Sequence, residues 1–230
     1  MKDIVVLIPS YNPSEILIDY VKKLKQNGFN NILVVNDGSN DSKIFDTISK
    51  FNFCTVLTHT MNLGKGAALK TGFRYYNRYL SSKFKGIITV DDDEQHSIED
   101  CKKLIDFFDK DSLIIGVRNF NLKTVPFRSK LGNKFTSFMF KLVYKKKISD
   151  TQTGLRLYPN IVLEQIDYLD GYKFDYETNV LIYCIRKNIN IIEIGIDTIY
   201  IDNNKKSRYK TFEDSKKIAK IFWKNRHNYK

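Results

Sequence analysis

The sequence predicts an α/β domain, a mostly parallel sheet with helices on both faces. Three observations predict it. Short apolar runs alternate with amphipathic stretches through the first 118 residues, the pattern of a sheet whose crossovers are helices. The unusual polar residues fall at the ends of those runs: Tyr11-Asn12, Asp37-Gly38-Ser39, Asp91-Asp92-Asp93 and Arg118. Open α/β sheets bind ligands at that edge. Finally, 230 residues that are 42% apolar and 28% charged supply a real core and exclude a disordered chain.

Taken in order, Ile4–Ile8 is a buried strand ending at Pro9. Ser14–Gln26 places Ile16, Leu17, Tyr20, Val21 and Leu24 on one helical face, with Ser14 as N-cap and Gly28 just past the end. Asn31–Asn36 is a second strand closed by Asp37-Gly38. A helix over Ser42–Phe51, a strand over Cys54–Leu57, a helix over Gly66–Leu80 and a strand over Gly86–Val90 follow. Ile98–Phe108 is helical and Leu113–Val117 is a strand. The second half is less regular. Ser129–Tyr144 is a helix rich in Leu and Phe, followed by Lys145-Lys146-Lys147; Asp175–Lys187 is a further helix, and Ile189–Ile201 is one or two strands around Gly195. Glu213–Trp223 is a basic helix. One domain over 1–210 is expected, with 211–230 as part of it or as a membrane-surface element.

The net charge of +12 draws the chain to something anionic: nucleic acid, a membrane face or a phosphorylated ligand. Three scattered cysteines, Cys54, Cys101 and Cys184, predict neither a disulfide framework nor a zinc site and fit a reducing, cytosolic setting. The N-terminus lacks the features of a signal peptide. No apolar run approaches the ~18–20 residues of a membrane span, so the chain is expected to lie on a membrane rather than cross it.

Three motifs carry chemistry. Asp91, Asp92 and Asp93 follow a strand directly, and alternate residues of extended backbone point the same way. Asp91 and Asp93 can then face one ligand, and such hard oxygen donors suit Mg²⁺ or Mn²⁺ shared with phosphates; a solvated acidic turn is the plain alternative. Asn62-Leu63-Gly64-Lys65-Gly66 is a small-residue loop before a helix, suited to phosphate at the helix N-terminus or to a tight turn with a surface lysine. Its spacing is not that of a Walker A loop. Asp37-Gly38-Ser39-Asn40-Asp41 is either a turn with Asp41 or Ser42 capping the next helix, or a wall of the ligand crevice.

Together these residues resemble a known family, the inverting family 2 glycosyltransferases of GT-A fold, in particular those similar to dolichyl-phosphate mannose synthase and bacterial polyprenyl-phosphate glycosyltransferases. Four blocks match in order: Ile8-Pro9-Ser10-Tyr11-Asn12, Val35-Asn36-Asp37-Gly38-Ser39, Asn62-Leu63-Gly64-Lys65-Gly66 and Asp91-Asp92-Asp93-Glu94-Gln95-His96. Arg118, Arg128 and Asn133, then Asp150-Thr151-Gln152-Thr153-Gly154-Leu155-Arg156, Tyr176-Glu177-Thr178 and the block from Tyr200 to Ser207 continue the match. The resemblance covers almost the whole chain. Asn12-Pro13 departs from the Asn-Glu frequent in the opening motif. Many relatives continue into membrane helices, whereas this sequence stops at Lys230, which leaves room for a separate membrane-protein partner.

The resemblance implies a Rossmann-like GT-A fold with amphipathic interface helices in the C-terminal half. It implies a nucleotide-sugar donor bound by Pro9, Tyr11, Asn12, Asp37, Gly38, Lys65, Asp91 and Asp92, with Asp37 accepting from a uracil or guanine N–H. Asp91 and Asp93 would hold Mg²⁺ or Mn²⁺, Asp93 the more direct ligand, and Gln95 would orient sugar or acceptor. Arg118 and Arg128 would clamp an acceptor phosphate through their planar forks; a surface ion pair is the plain alternative for each. Asp150 would act as general base toward a hydroxyl acceptor, or orient a phosphate acceptor that is already an anion. His96 can touch a phosphate or cap a helix and stays outside the catalytic set; His59 and His227 show no partners in sequence.

The expected activity is transfer of a sugar from a UDP- or GDP-sugar to a polyprenyl phosphate at the inner, cytoplasmic face of the cell membrane. A hydroxyl acceptor in surface-polysaccharide synthesis is the alternative. Phe135, Phe138, Met139, Phe140, Leu142 and Val143 with the lysines after them, and Lys216, Lys217, Lys220, Lys224 and Arg226 around Phe222 and Trp223, place the positive charge better on an anionic membrane surface than on nucleic acid; core packing of the aromatic stripe and a helical dimer interface are the alternatives. A basic nucleic-acid-binding module is disfavoured by the carboxylates in the crevice, and no nucleic-acid partner is expected. A haloacid-dehalogenase-like phosphatase is excluded because Gln95 stands where that family needs Thr or Val.

Overall fold

A computed structural model describes residues 3–122, 125–173, 175–198 and 220–223, with Arg128 through its backbone alone. The Tyr200–Ser207 block, Lys216, Lys217, Lys224, Arg226 and most of the expected C-terminal helix lie outside the described residues. The elements run β1 (Ile4–Ser10), α1 (Ile16–Gln26), β2 (Ile32–Asn36), α2 (Lys43–Ser49), β3 (Cys54–Thr58), α3 (Lys65–Tyr79), β4 (Gly86–Thr89), α4 (Ile98–Asp106) and β5 (Ser112–Val117). They continue with α5 (Phe127–Tyr144), β6 (Arg156–Pro159), α6 (Asn160–Ile166), α7 (Asp175–Arg186) and β7 (Asn190–Gly195).

Every element expected before residue 118 is present, because each carries its own periodicity. Strand residues alternate between two cores. On β1, Val5 and Leu7 face one cluster with Phe73, Tyr158, Tyr176 and Leu181. Ile4, Val6 and Ile8 face the other, with Leu17, Tyr20, Leu24, Phe45 and Leu104. Helices thus cover both faces. Gly28 ends α1 with a φ of 90°, as its position predicts. The α1 cap differs: Glu15 occupies the N-cap position with no side-chain bond, and Ser14 contributes only its carbonyl, to the Leu17 N–H at 3.1 Å.

The sheet order is β3-β2-β1-β4-β6-β5-β7. β1 pairs in parallel with β2 and β4, β2 with β3, and β5 with β7. β6 is antiparallel to both of its neighbours, β4 and β5. Neither β6 nor α6 is anticipated by the sequence pattern. β6 has four residues, Arg156-Leu157-Tyr158-Pro159, too few to show a period and with an arginine and a proline where a strand is usually apolar. The reversal matters for function: Thr89, the last residue of β4, pairs with Arg156, the first of β6. The chain segment entering β6 therefore arrives at the edge where the parallel strands leave.

α5 starts at Phe127, two residues before its expected start. Its inner face, with Asn133, Thr136 and Phe140, is buried. Of the expected C-terminal element, Phe222 is buried and its ring meets Phe140 edge-on at 4.9 Å.

Leu157 is fully buried and registers with Ile88 on one side and Ile114 on the other. Leu157→Ala is expected to lower the unfolding free energy by ~2–5 kcal/mol in a urea titration. A loss below about 1 kcal/mol would contradict a core position for β6.

Candidate active site

The loops leaving β1 and β2 are tied together. The Asp37 N–H donates to Ser10 O at 2.8 Å, the Asn12 N–H to Ser39 Oγ at 2.8 Å, and the Asn40 N–H to Asn12 Oδ1 at 2.9 Å. Asn12 sits at a φ of 47°, a region that asparagine tolerates. Pro9 is buried in β1 opposite Val35, Tyr11 is half-buried, and Asn12 is exposed. At the next helix, Asp41 Oδ1 accepts from the Lys43 N–H at 2.9 Å.

Asp37 is buried and joins three segments. Its Oδ1 accepts from the Leu63 N–H at 2.9 Å and lies 2.8 Å from His59 Nδ1; its Oδ2 accepts from the Gly64 N–H at 2.8 Å. The Asn62–Gly66 loop is thereby pulled onto the end of β2. Gly64 has a φ of 102°, and a side chain there would strike the Tyr172 carbonyl.

At the start of α3 the first helical amides are already engaged. The Ala67 N–H is taken by Tyr172 O at 3.1 Å and the Ala68 N–H by Gly64 O at 3.1 Å. Lys65 turns inward. Its Nζ donates to Asp91 Oδ1 at 2.7 Å and lies 3.5 Å from Glu177 Oε2. Burial works against the ammonium, yet Asp91 and Glu177 carry Lys65 above the ordinary lysine value.

The three aspartates go to three partners. Residues 91–97 form turns, with Glu94 at a φ of 60°, so the extended alternation expected for Asp91 and Asp93 does not hold. Asp91 meets Lys65 and, through Oδ2, His96 Nε2 at 3.1 Å. Asp92 accepts from Ser10 Oγ at 2.6 Å. Asp93 accepts from Gln95 Nε2 at 2.8 Å and from the Gln95 N–H at 3.2 Å. Burial opposes ionisation of Asp91, but Lys65 and His96 outweigh it and hold the carboxyl well below the usual carboxylate range. Burial, then the negative fields of Asp91 and Asp92, push Asp93 up to about 6.

That elevation bears on a metal. A carboxyl raised by burial and by like charges is one whose ionised form a divalent cation would favour. Among the described residues no three His, Cys, Asp or Glu side chains form a ready cage. Mg²⁺ and Mn²⁺ sites of one or two carboxylates completed by phosphates need none. The donor set fits such an ion, with Asp93 the ligand not engaged by a cation; Asp93 also lines a cleft of about 370 Å³ with Ile16, Lys23, Glu94 and Ile98, on the side of α1 and α4.

The segment entering β6 packs against this cluster. A Cβ built on Gly154 would collide with the Asp91 carboxylate, and Gly154 O accepts from Thr89 Oγ1 at 2.7 Å. Arg156 is completely buried and donates to Thr151 O, Thr153 O and Glu177 O at 2.9–3.0 Å. Asn133 holds the same turn from α5: its Nδ2 donates to Ser149 O at 2.6 Å and its Oδ1 accepts from the Thr151 N–H at 2.9 Å.

Asp150 is completely buried and gripped by Arg118. Its Oδ2 accepts from Arg118 Nε at 2.7 Å, and its Oδ1 accepts from Nη2 at 3.0 Å and from the Gln152 N–H at 3.0 Å. With both oxygens engaged in this way, Asp150 orients the guanidinium of Arg118. The Arg128 side chain lies outside the described residues. Sequence reasoning missed Glu177, His59 and Arg156 as parts of this edge. Glu177 and Arg156 lie in blocks already singled out, and an inward-facing Lys65 needs a second anion beside Asp91.

Comparison with known proteins follows the same lines. The sequence pattern described as Glycosyl transferase family 2 matches residues 5–167. The UDP-N-acetylglucosamine–dolichyl-phosphate N-acetylglucosaminyltransferase of Methanococcus voltae is 28% identical over 222 residues, 87% of this chain and 87% of that protein. The dolichyl-phosphate beta-glucosyltransferase of Saccharomyces cerevisiae is 31% identical over 234 residues, 87% of this chain and 68% of that protein. Among solved structures, glucosyl-3-phosphoglycerate synthase from Mycobacterium tuberculosis, in complex with Mn²⁺, UDP and phosphoglyceric acid, matches with a TM-score of 0.71. The match covers 98% of this chain and 79% of that one at 12% identity, a likeness of fold.

Lys65→Met would leave Asp91 and Glu177 facing each other without their cation. It is expected to cost ~1–3 kcal/mol of stability at pH 7. Acid titration carries the sign. The depressed Asp91 group stabilises the fold above its unfolded value of 3.8, and that contribution fades as pH falls through the lower folded value. The variant should show less of this acid-linked loss, measured by urea denaturation at pH 7 and pH 3.

Proposed function

The chain belongs to glycosyl transferase family 2 and has the GT-A fold, and from that footing we propose that it moves a sugar from a UDP- or GDP-sugar to a polyprenyl phosphate at the cytoplasmic membrane face. The carrying observation is the meeting at one edge of two charged assemblies, the Lys65-braced Asp91–Asp93 cluster and the Arg118–Asp150 pair. Asp37 accepts from the base. Asp93, with Asp91 once an oxygen turns from His96 or Lys65, would hold Mg²⁺ or Mn²⁺, and such an ion would offset the charge of the leaving diphosphate. Gln95, bonded to Asp93, stands at the sugar end.

The acceptor side favours phosphate over hydroxyl. A hydroxyl nucleophile needs a base, and both Asp150 oxygens are occupied by Arg118 and Gln152. A phosphate acceptor is already an anion. It needs an oriented guanidinium, and a carboxylate gripping Arg118 through two nitrogens supplies that orientation. The named activities of the Methanococcus voltae and Saccharomyces cerevisiae relatives support the same acceptor class.

No helix among the described residues is long and apolar enough to cross a membrane. α5 supports surface binding. Phe127, Leu131, Phe138 and Leu142 are 50–76% exposed and fall within about 60° of one another on a helix of ~100° per residue. Exposed Lys134, Lys141, Lys145, Lys146 and Lys147 lie alongside or just beyond, a pairing of apolar and basic groups suited to anionic lipid.

Three experiments test this reading. In thermal melts with UDP, GDP, CDP or dTDP, one nucleotide should stabilise the protein in a Mn²⁺-dependent way, by ~2.7 kcal/mol at a hundredfold excess over its dissociation constant. Asp93→Asn should remove the Mn²⁺-dependent part. In the wild type the Mn²⁺ concentration needed for that part should rise as pH falls below about 6, where protons compete with the metal for Asp93. No shift with any nucleotide would refute the proposed nucleotide-sugar donor site. Labelled sugar from the matching donor should enter an extractable polyprenyl product, and Arg118→Glu should abolish that product while keeping the nucleotide shift. Leu131→Glu with Leu142→Glu should release the protein from phosphatidylglycerol vesicles without altering nucleotide binding; full retention on the vesicles would refute the α5 docking face.

A further inference from the structure

His59 follows β3 at the same edge and takes no part in the steps above. Its side chain is 10% exposed, and each ring nitrogen has a partner. Nδ1 lies 2.8 Å from Asp37 Oδ1, and Nε2 lies 2.9 Å from Oγ1 of Thr71 on α3. Its backbone N–H donates to Asn36 O at 2.9 Å. A carboxylate only accepts hydrogen bonds, which assigns the proton to Nδ1. In the neutral ring Nε2 then accepts from the Thr71 hydroxyl. Asp37, His59 and Thr71 form a chain that fixes the ring plane from both sides.

A carboxylate offers about four lone-pair positions. His59 and the Leu63 N–H occupy those of Asp37 Oδ1, and the Gly64 N–H occupies one on Oδ2. One position on Oδ2 is left for an incoming donor. The two amides belong to a loop; His59 supplies the side-chain donor to Asp37, and it is anchored to both β2 and α3.

We infer that His59, backed by Thr71, is a positioning residue that aims the remaining Oδ2 lone pair of Asp37 at the nucleobase of the sugar donor, and so sets the preference for bases with a ring N–H at that edge. Uracil and guanine present such an N–H, whereas cytosine presents an acceptor there. The inference rests on the transferase reading, through Asp37 as the group that meets the base.

The test is calorimetric titration of the full chain with UDP, GDP and CDP in the presence of Mn²⁺, for the wild type, His59→Ala, His59→Asn and Thr71→Val. The wild type should prefer UDP or GDP to CDP. His59→Ala should shrink that ratio about tenfold, the equivalent of one hydrogen bond to a charged group. His59→Asn, whose amide N–H takes the place of Nδ1–H, should restore most of it. Thr71→Val should shrink it about threefold, as loss of one neutral bond to the ring would. An unchanged ratio in folded His59→Ala overturns the inference, even if all affinities fall together, because a merely structural role weakens every nucleotide alike. Should His59→Ala not fold, an unchanged ratio in Thr71→Val overturns it. A wild type that binds no nucleotide overturns the transferase reading with it; a wild type whose base preference survives His59→Ala overturns the inference alone.

Discussion

A lysine ammonium with little water around it must find anions, and Lys65 finds two. Its side chain is 19% exposed, with Asp91 at 2.7 Å and Glu177 at 3.5 Å. Those partners come from segments far apart in sequence: the loop before α3, the turn after β4 and the first turn of α7. Removing any one leaves a charge in poor solvent, which costs more than the contact itself contributes. The same pair fixes Asp91 in its ionised form, and the field of Asp91 then helps to hold Asp93 near a half-protonated state at mildly acidic pH. One buried cation thus sets the electrostatics of the acidic cluster.

β6 decides what else reaches that cluster. An all-parallel continuation would carry the Asp150–Gly154 segment to the opposite edge of the sheet. Reversal of one short strand brings it to the carboxyl end of β4, where Gly154 closes on Asp91 and Arg156 gathers three carbonyls beneath it. Arg156 is a buried charge that donates to three backbone carbonyls, so its work is to shape the turn that carries Asp150. The Arg118–Asp150 pair is then positioned by β5 and by that turn together. The acidic cluster and the Arg118–Asp150 pair share an edge because a strand runs backwards.

Legibility differed between the parts of the molecule for identifiable reasons. The strands and helices up to residue 118 carry periodicity over five or more residues in most cases, and all of them were readable. β6 and α6 carry four and seven residues and were not. The candidate residues Asp37, Lys65, Asp91, Asp93, Gln95, Arg118 and Asp150 all gather at the carboxyl edge or at the segment entering β6. Their partners were hidden: nothing in the residues 59, 37 and 71 as neighbours in a list shows that a histidine bridges a carboxylate and a helix threonine.

The sequence by itself determined the fold class, the family and the set of charged side chains available at the ligand edge, because local periodicity and short motifs are properties of neighbouring residues. Only the tertiary structure decided how those charges pair: Lys65 with Asp91 and Glu177, Arg118 with Asp150, His59 with Asp37. Burial removes water as a partner, and which groups then meet depends on strand order and direction, to which short-range sequence pattern is blind.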